Sequence, residues 1–345
     1  MSRIIIDERQ PPQALQRALD DYSRLCSQAT GIMPDPGFTK WADDTFLAEG
    51  VAINPQSAAY CLKDYQRSIN YIRGIYAAIL DLKRRTPADP VNILYAGCGP
   101  FATLILPLLV NFRATELNLF LLDIHQASLD SVRKLMTFFA LDSHRITLIK
   151  GDACRYRHPQ TLQLIVAEVM QKALEQEPQF AVTVNLASQL SDGGIFIPQA
   201  IHIALCLGHW KEEKKACLEG KAFFTEHLYS SHLRHLVADI LSLTPTNAAA
   251  LHKQASYSET SGKYEINIGR VCIPDIDRLT TFDALLTTRI EVYRQYTLND
   301  YASNITLPHK CYELSPLRAG TCFRVCYQLG SYPKFEFTPE NSLQD

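Results

Sequence analysis

Val91-Asn-Ile-Leu-Tyr-Ala-Gly-Cys-Gly-Pro100 decides how this chain is read. A near-continuous apolar run ending in two glycines predicts a strand buried on both faces, as in a parallel sheet, that opens into a tight turn. The pattern recurs at 117–123 (LNLFLLD), 146–152 (ITLIKGD) and 162–168 (LQLIVAE). Between these runs lie an apolar, helix-compatible segment over 102–111 and a predicted helix over 126–139. Strand and helix in alternation predict an α/β fold with a Rossmann-like, doubly wound sheet, whose ligands bind at the carboxyl ends of the strands.

Upstream of that core, apolar side chains at helical spacing predict a helix over 12–28, then a loop over 31–39. One long helix is predicted over 56–85, with a stripe formed by Ala59, Leu62, Ile69, Ile72, Ile75, Ile79 and Leu82. Pro87 and Pro90 end it. Beyond Pro198 the texture changes. A strand is predicted over 201–207 and a polar, partly helical insertion over 211–262. Alternating strands follow at 264–273, 287–298, 305–314, 321–329 and 334–337, the pattern of a barrel or sandwich. The expected division is an N-terminal helical segment (1–90), a Rossmann-like domain (91–198) and a β-rich C-terminal domain (199–345).

Bulk properties exclude several function classes. The 345 residues carry 34 Lys+Arg against 36 Asp+Glu, a formal net charge of -2. That balance gives no basis for nucleic-acid binding, and the one basic cluster, Lys83-Arg84-Arg85, complements a helix C-terminus. The start MSRIIIDERQ lacks the long apolar core of a secretory signal. The longest apolar runs, 104–110 and 117–122, are too short to cross a bilayer, so no membrane association is expected. Ten cysteines without a C-x-x-C, Cys322 and Cys326 being the closest pair, are read as free buried thiols in a cytoplasmic protein, with no metal site. His227, His232 and His235 lie on a polar segment and are read as surface residues.

The chemistry concentrates at the strand ends. Gly97 and Gly99, flanking Cys98, let backbone approach a ligand closely. Asp123 ends the next strand, where a carboxylate accepts both hydroxyls of a ribose. Asp152-Ala153 ends the third, where a carboxylate accepts from the exocyclic amine of an adenine. A dinucleotide is disfavoured, because Ala102 stands where the fingerprint places its third glycine. The fourth strand runs into Glu168-Val-Met-Gln-Lys-Ala-Leu-Glu-Gln-Glu177. Two carboxylates nine positions apart at the mouth of such a site can converge on one cation, and a guanidinium matches carboxylates bidentately.

This order of strand-end residues resembles class I S-adenosylmethionine-dependent methyltransferases from about residue 60 to 198. The 168–177 segment resembles the double-E loop of protein arginine methyltransferases: Glu168, Met170, Leu174 and Glu177 match, while Val169 replaces a tryptophan and Gln171 a glycine. Leu190 to Pro198 (LSDGGIFIP) and Leu62-x-Asp64-x-x-Arg67-x-x-x-Tyr71 resemble two further segments of that family. The resemblance implies S-adenosyl-L-methionine as cofactor, held by Arg67, Gly97, Cys98, Gly99, Asp123, Asp152 and Ala153. Glu168 and Glu177 would be the catalytic pair, Arg67 would meet the cofactor's methionine carboxylate, and the polar insertion would make a homodimer. Tyr95 and Phe101 depart from the family, which commonly carries an acid and a glycine there. No Thr-His-Trp loop occurs, leaving His309 as a weak candidate for its histidine. The expected activity is N-methylation of a guanidino- or amine-bearing acceptor, a small molecule in preference to an arginine-containing protein. Transfer of the cofactor's aminocarboxypropyl arm and non-catalytic adenosyl binding are the other readings.

Overall fold

The structure, a computed structural model, describes residues 1–35, 44–218 and 233–340. Helices α1 (Ser2–Ile6) and α2 (Pro12–Thr30) come first. A small antiparallel hairpin follows, β1 (Thr45–Leu47) and β2 (Gly50–Ala52). The predicted helix over 56–85 is in fact two, α3 (Pro55–Tyr60) and α4 (Tyr65–Arg85), separated by a 3-10 turn at Cys61–Lys63. The break has a local cause. Asp64 takes a non-helical conformation and its side chain caps α4 by accepting from Arg67 N–H, while Asn54 caps α3 by accepting from Ser57 N–H. All seven stripe residues are buried.

The α/β unit contains β3 (Val91–Ala96), β4 (Leu117–Asp123), α5 (Gln126–Phe138), β5 (Arg145–Lys150), β6 (Leu162–Ala167), α6 (Gln179–Ala187) and β7 (Leu190–Ile197). Its five strands lie in the order β5-β4-β3-β6-β7, every neighbouring pair parallel. This is the Rossmann-like sheet read from the sequence. The chain builds outward from β3 through β4 to β5, then returns to the other side for β6 and β7. The switch point therefore lies between β3 and β6, where such sheets open a crevice for ligands. No α-helix forms over 102–111; turns and a 3-10 helix at Leu106–Asn111, with Pro107 in its first turn, fill that crossover.

The C-terminal half is built from β8 (Ala200–Gly208), α7 (Trp210–Leu218), β9 (Arg234–Leu243), α8 (Ala248–Lys253), β10 (Ser256–Ser258), β11 (Lys263–Cys272), β12 (Asp283–Tyr293), β13 (Tyr296–Leu298), β14 (His309–Lys310), β15 (Cys322–Gln328) and β16 (Lys334–Pro339). They form two antiparallel sheets, β13-β12-β8-β9 with β14 beside β12, and β10-β11-β15-β16. Inner residues of both, such as Leu205, Val292, Val325 and Phe337, share one core with α4 and the parallel sheet.

Three expectations are corrected here. The polar insertion over 211–262 contains a full strand, β9, paired along β8; two register shifts blur its alternation. His227 and His232 fall outside the described residues, whereas His235 lies on β9 against Phe282. The predicted strand over 305–314 is two 3-10 turns around a two-residue bridge, because Pro308 interrupts it. Not all cysteines are thiols: Cys272 and Cys322 are direct cross-strand partners at the end of the β11–β15 ladder and form a disulfide, while Cys26, Cys61, Cys98, Cys154, Cys206, Cys217, Cys311 and Cys326 remain thiols. Among the described residues no helix is long and apolar enough to cross a membrane.

A buried ion network fastens α7 and β9 to the turn after β13. Arg234 donates to both oxygens of Glu213, at 3.0 and 2.7 Å, and to Asp300, while Tyr301 donates to Glu213 at 2.6 Å. Removing one member of such a network strands the others without counter-charge. Arg234→Ala is expected to lower the unfolding free energy by about 3–5 kcal/mol, read as a shifted urea midpoint at unchanged slope.

Candidate active site

A cavity of about 750 Å³ opens at the switch point, within the ordinary range of small-molecule sites. Every residue singled out from the sequence as a site residue lines it: Arg67, Gly97, Cys98, Gly99, Asp123, Asp152, Ala153, Glu168 and Glu177. They come from five stretches of chain, and the parallel sheet brings the strand-end residues together.

The floor is the turn after β3. Gly97 and Gly99 have φ of +72° and +63°, a region that favours glycine, and Gly97 N–H donates to Leu122 O at 2.9 Å. A Cβ at Gly97 would lie 2.3 Å from Val169 Cγ1, so the turn and the start of the double-glutamate loop fit only because position 97 has no side chain. Asp123 secures the turn from the neighbouring strand, accepting from Gly99 N–H and His125 N–H, both at 2.8 Å. Each carboxylate oxygen has two lone pairs, so capacity remains for a ligand hydroxyl. Asp152 accepts from Cys154 N–H at 2.8 Å, and Ala153 O accepts from Asn185 Nδ2 at 2.8 Å.

The two glutamates stand on the other side of the switch point. Glu168 is 8% exposed and Glu177 6%. Arg67, on the first turn of α4, donates one terminal nitrogen to Glu168 Oε2 and the other to Cys61 O at 3.0 Å. Its Nε is sealed from solvent and has no hydrogen-bond partner among the described residues. Burial raises the Glu168 carboxyl above its ordinary value, a rise that the adjoining Arg67 guanidinium opposes. Burial pushes Glu177 up to about 8, and the Glu168 charge adds to the rise. Gln171 Nε2 donates to Glu177 Oε1 at 3.0 Å. Both departures within the loop thus make specific contacts, Val169 with Gly97 and Gln171 with Glu177.

Tyr95 and Phe101, the two departures in the β3 turn, also line the cavity. Phe101 is buried, and Tyr22 donates to its carbonyl at 2.8 Å, which fixes the backbone beyond the turn. Tyr95 is 3% exposed, and no hydrogen bond is made to its hydroxyl among the described residues. His309 does not reach the cavity. It sits on β14 with Nδ1 3.4 Å from Glu175 Oε2, and burial lowers its pKa.

One wall is absent from the sequence reading, the β1–β2 hairpin. Val51 N–H donates to Gln176 O at 2.8 Å, and a Cβ at Gly50 would lie 2.7 Å from Pro178 N. Thr45 Oγ1 meets His125 Nε2 at 3.1 Å. Asp44, just ahead of β1, lines the cavity, and Asn54 donates to its Oδ1 from the backbone at 2.7 Å and from Nδ2 at 2.9 Å. The only sequence signal was Asn54-Pro55, an N-cap followed by proline at N1, which marks the start of α3.

No family model matches the chain. No curated protein matches it either. Among solved structures it is similar to a Trypanosoma brucei PRMT1 enzyme-prozyme heterotetrameric complex with AdoHcy, at 12% identity and a TM-score of 0.45, over 82% of this chain and 93% of that one. It is also similar to Arabidopsis thaliana protein arginine methyltransferase 10 in an open conformation, at 10% identity and a TM-score of 0.44, over 78% and 86% respectively. Likeness at this level carries no residue role.

The raised Glu177 pKa has a consequence for stability. Below its ordinary value of 4.5 the carboxyl is neutral in both folded and unfolded chains. As pH rises from there to about 8 the unfolded chain ionises first, so stability is lost across that window. Glu177→Gln has no proton to lose. Its urea midpoint is expected to gain steadily on the unsubstituted protein between pH 4.5 and about 8, then run parallel to it.

Proposed function

We propose that this chain is an S-adenosylmethionine-dependent N-methyltransferase acting on a guanidine or amine, a small molecule in preference to a protein arginine. The observation that carries the reading is the meeting of Glu168 and Glu177, both buried, in one cavity floored by the Gly97–Gly99 turn. The residues fit the cofactor. Among the described residues Arg67 Nε is a buried donor without a partner, suited to a carboxylate, and Asp123 keeps acceptor capacity for ribose hydroxyls. The backbone of Gly97, Cys98 and Gly99 would underlie the nucleoside, with Asp152 and Ala153 at the adenine. When bound, S-adenosylmethionine supplies an electrophilic methyl group whose bonding pair stays with sulfur as the new N–C bond forms.

The chain's own contribution is position and charge. Glu168 and Glu177 would grip the acceptor cation from two sides, drawing positive charge toward the gripped nitrogens and leaving the third as nucleophile. Deprotonating a guanidinium before attack costs about 1.4 kcal/mol for each pKa unit above ambient pH, which favours proton loss at or after transfer. Arrival of a cation also lowers the pKa of Glu177, converting it to the charged partner that the cation needs. Gln171 supports the preference for a small acceptor, since its side chain reaches Glu177 across space that a glycine would leave open.

Calorimetric titration with S-adenosylmethionine and S-adenosylhomocysteine tests the cofactor site: Asp123→Ala is expected to weaken both by tenfold or more, about 1.4 kcal/mol. Glu168→Gln is expected to cut turnover about 10²- to 10³-fold with guanidine acceptors. Unchanged turnover in that variant, or transfer to arginine peptides alone, would respectively overturn the catalytic assignment or replace the small acceptor by protein arginine. We further infer a homodimer assembled through the insertion after β8. Sedimentation is expected to show a species twice the 38.9 kDa chain, and a clean monomer would remove that inference.

A further inference from the structure

The acceptor's chemical class can be narrowed by asking which charges the cavity leaves unanswered. Among the described residues its walls carry Asp44, Asp64, Asp123, Asp152, Glu168 and Glu177 against Arg67 and Lys172, with His125 beside Asp123. Arg67 is engaged by Glu168 and the Cys61 carbonyl. Lys172 lies near enough to Glu175 and His309, both outside the lining, to lower the pKa of each. An acceptor bearing a carboxylate would therefore meet a lining in which acids outnumber these cations by six to two.

The acids divide by what holds them. Asp64 accepts from Arg67 N–H, Ser303 Oγ and Asn304 N–H, and Asp123 is engaged by the glycine turn. Asp44 differs. Both of its hydrogen bonds, from the buried Asn54, go to Oδ1, and among the described residues none reaches Oδ2. Asp44 stands close enough to Glu177 for its charge to bear on that carboxyl. Tyr95, 3% exposed, also lines the cavity, and among the described residues no hydrogen bond reaches its hydroxyl. The cavity thus offers a gripping pair of carboxylates, a third carboxylate on the hairpin wall with one oxygen unengaged, and a neutral hydroxyl.

Building on the methyl-transfer reading, we propose that the acceptor is a small dication without a carboxylate, a guanidine or amine carrying a second ammonium, and that Asp44 holds that second charge. Glu168 and Glu177 take the end to be modified, and Asp44 takes the other. A protein arginine presents one charge on a neutral backbone and leaves Asp44 unused. Free arginine brings a carboxylate into an acidic cavity, where like charge opposes it.

Agmatine and L-arginine differ only by the α-carboxylate, so they isolate that one group. Calorimetry on the protein saturated with S-adenosylhomocysteine should show agmatine binding about tenfold or more tightly than L-arginine or an arginine flanked by capped, neutral peptide ends. Asp44→Asn should remove most of that advantage while leaving S-adenosylhomocysteine affinity and the thermal midpoint unchanged. Asp44→Glu should restore part of it. Agmatine binding no tighter than L-arginine, or as tight in Asp44→Asn as in the unsubstituted protein, overturns the inference while the cofactor site stands. Failure to bind S-adenosylhomocysteine at all overturns the methyl-transfer reading, and this inference with it.

Discussion

Two charges withdrawn from water at the end of β6 organise the centre of this molecule. Arg67 and Glu168 are both buried, and a buried ion is tolerated only when paired and hydrogen-bonded. Meeting that condition places α4 across the carboxyl end of the sheet and fixes where α4 starts. Asp64 caps the same first turn and is held in turn by Ser303 and Asn304 from the β-rich half. Further along α4, Asp81 accepts from Tyr293 at 2.6 Å and pairs with Arg294 at 2.7 Å. The helix is thus pinned at both ends to the C-terminal sheets and packed along its length on the α/β core. Replacing such a pair by apolar residues is often neutral or stabilising, so stability alone does not account for it, which agrees with the binding role proposed above.

The sequence was most legible where burial is symmetric. β3, β4 and β6 read directly, because strands covered on both faces must be apolar throughout and end in turns of fixed chemistry. The strand-end residues were legible for the same reason, since sheet order places them side by side whatever the loops do. Legibility failed where structure depends on a partner far along the chain. β9 has one face in the core and two register shifts, so its pattern does not alternate cleanly. The Cys272–Cys322 bond depends on a register between β11 and β15 that spacing cannot reveal, and the nearer pair, Cys322 and Cys326, misleads. The hairpin that carries Asp44 has strands of three residues, too short for any periodicity.

The four residues that depart from the resembled pattern act in different ways. Val169 lies against Gly97, Gln171 against Glu177, and Phe101 is anchored through its carbonyl to Tyr22 of α2. Tyr95 adds a hydroxyl that no hydrogen bond reaches among the described residues. Val169 and Phe101 adjust how backbone segments meet, while Gln171 and Tyr95 change what the cavity offers a ligand. A site can therefore diverge at many positions in sequence and still alter its chemistry at few.

Gly50 and Pro178 touch across more than a hundred residues of chain, and that contact has a kinetic side. The parallel strands can assemble from neighbours, but the hairpin can dock only once the loop after β6 has been placed. Closing so long a loop carries an entropic cost that no local contact offsets beforehand. The cavity is consequently complete only once that distant contact has closed. Its ability to bind a ligand then reports on completion of the native state, and an occupant that bridges hairpin and loop acts as a clasp on the finished fold.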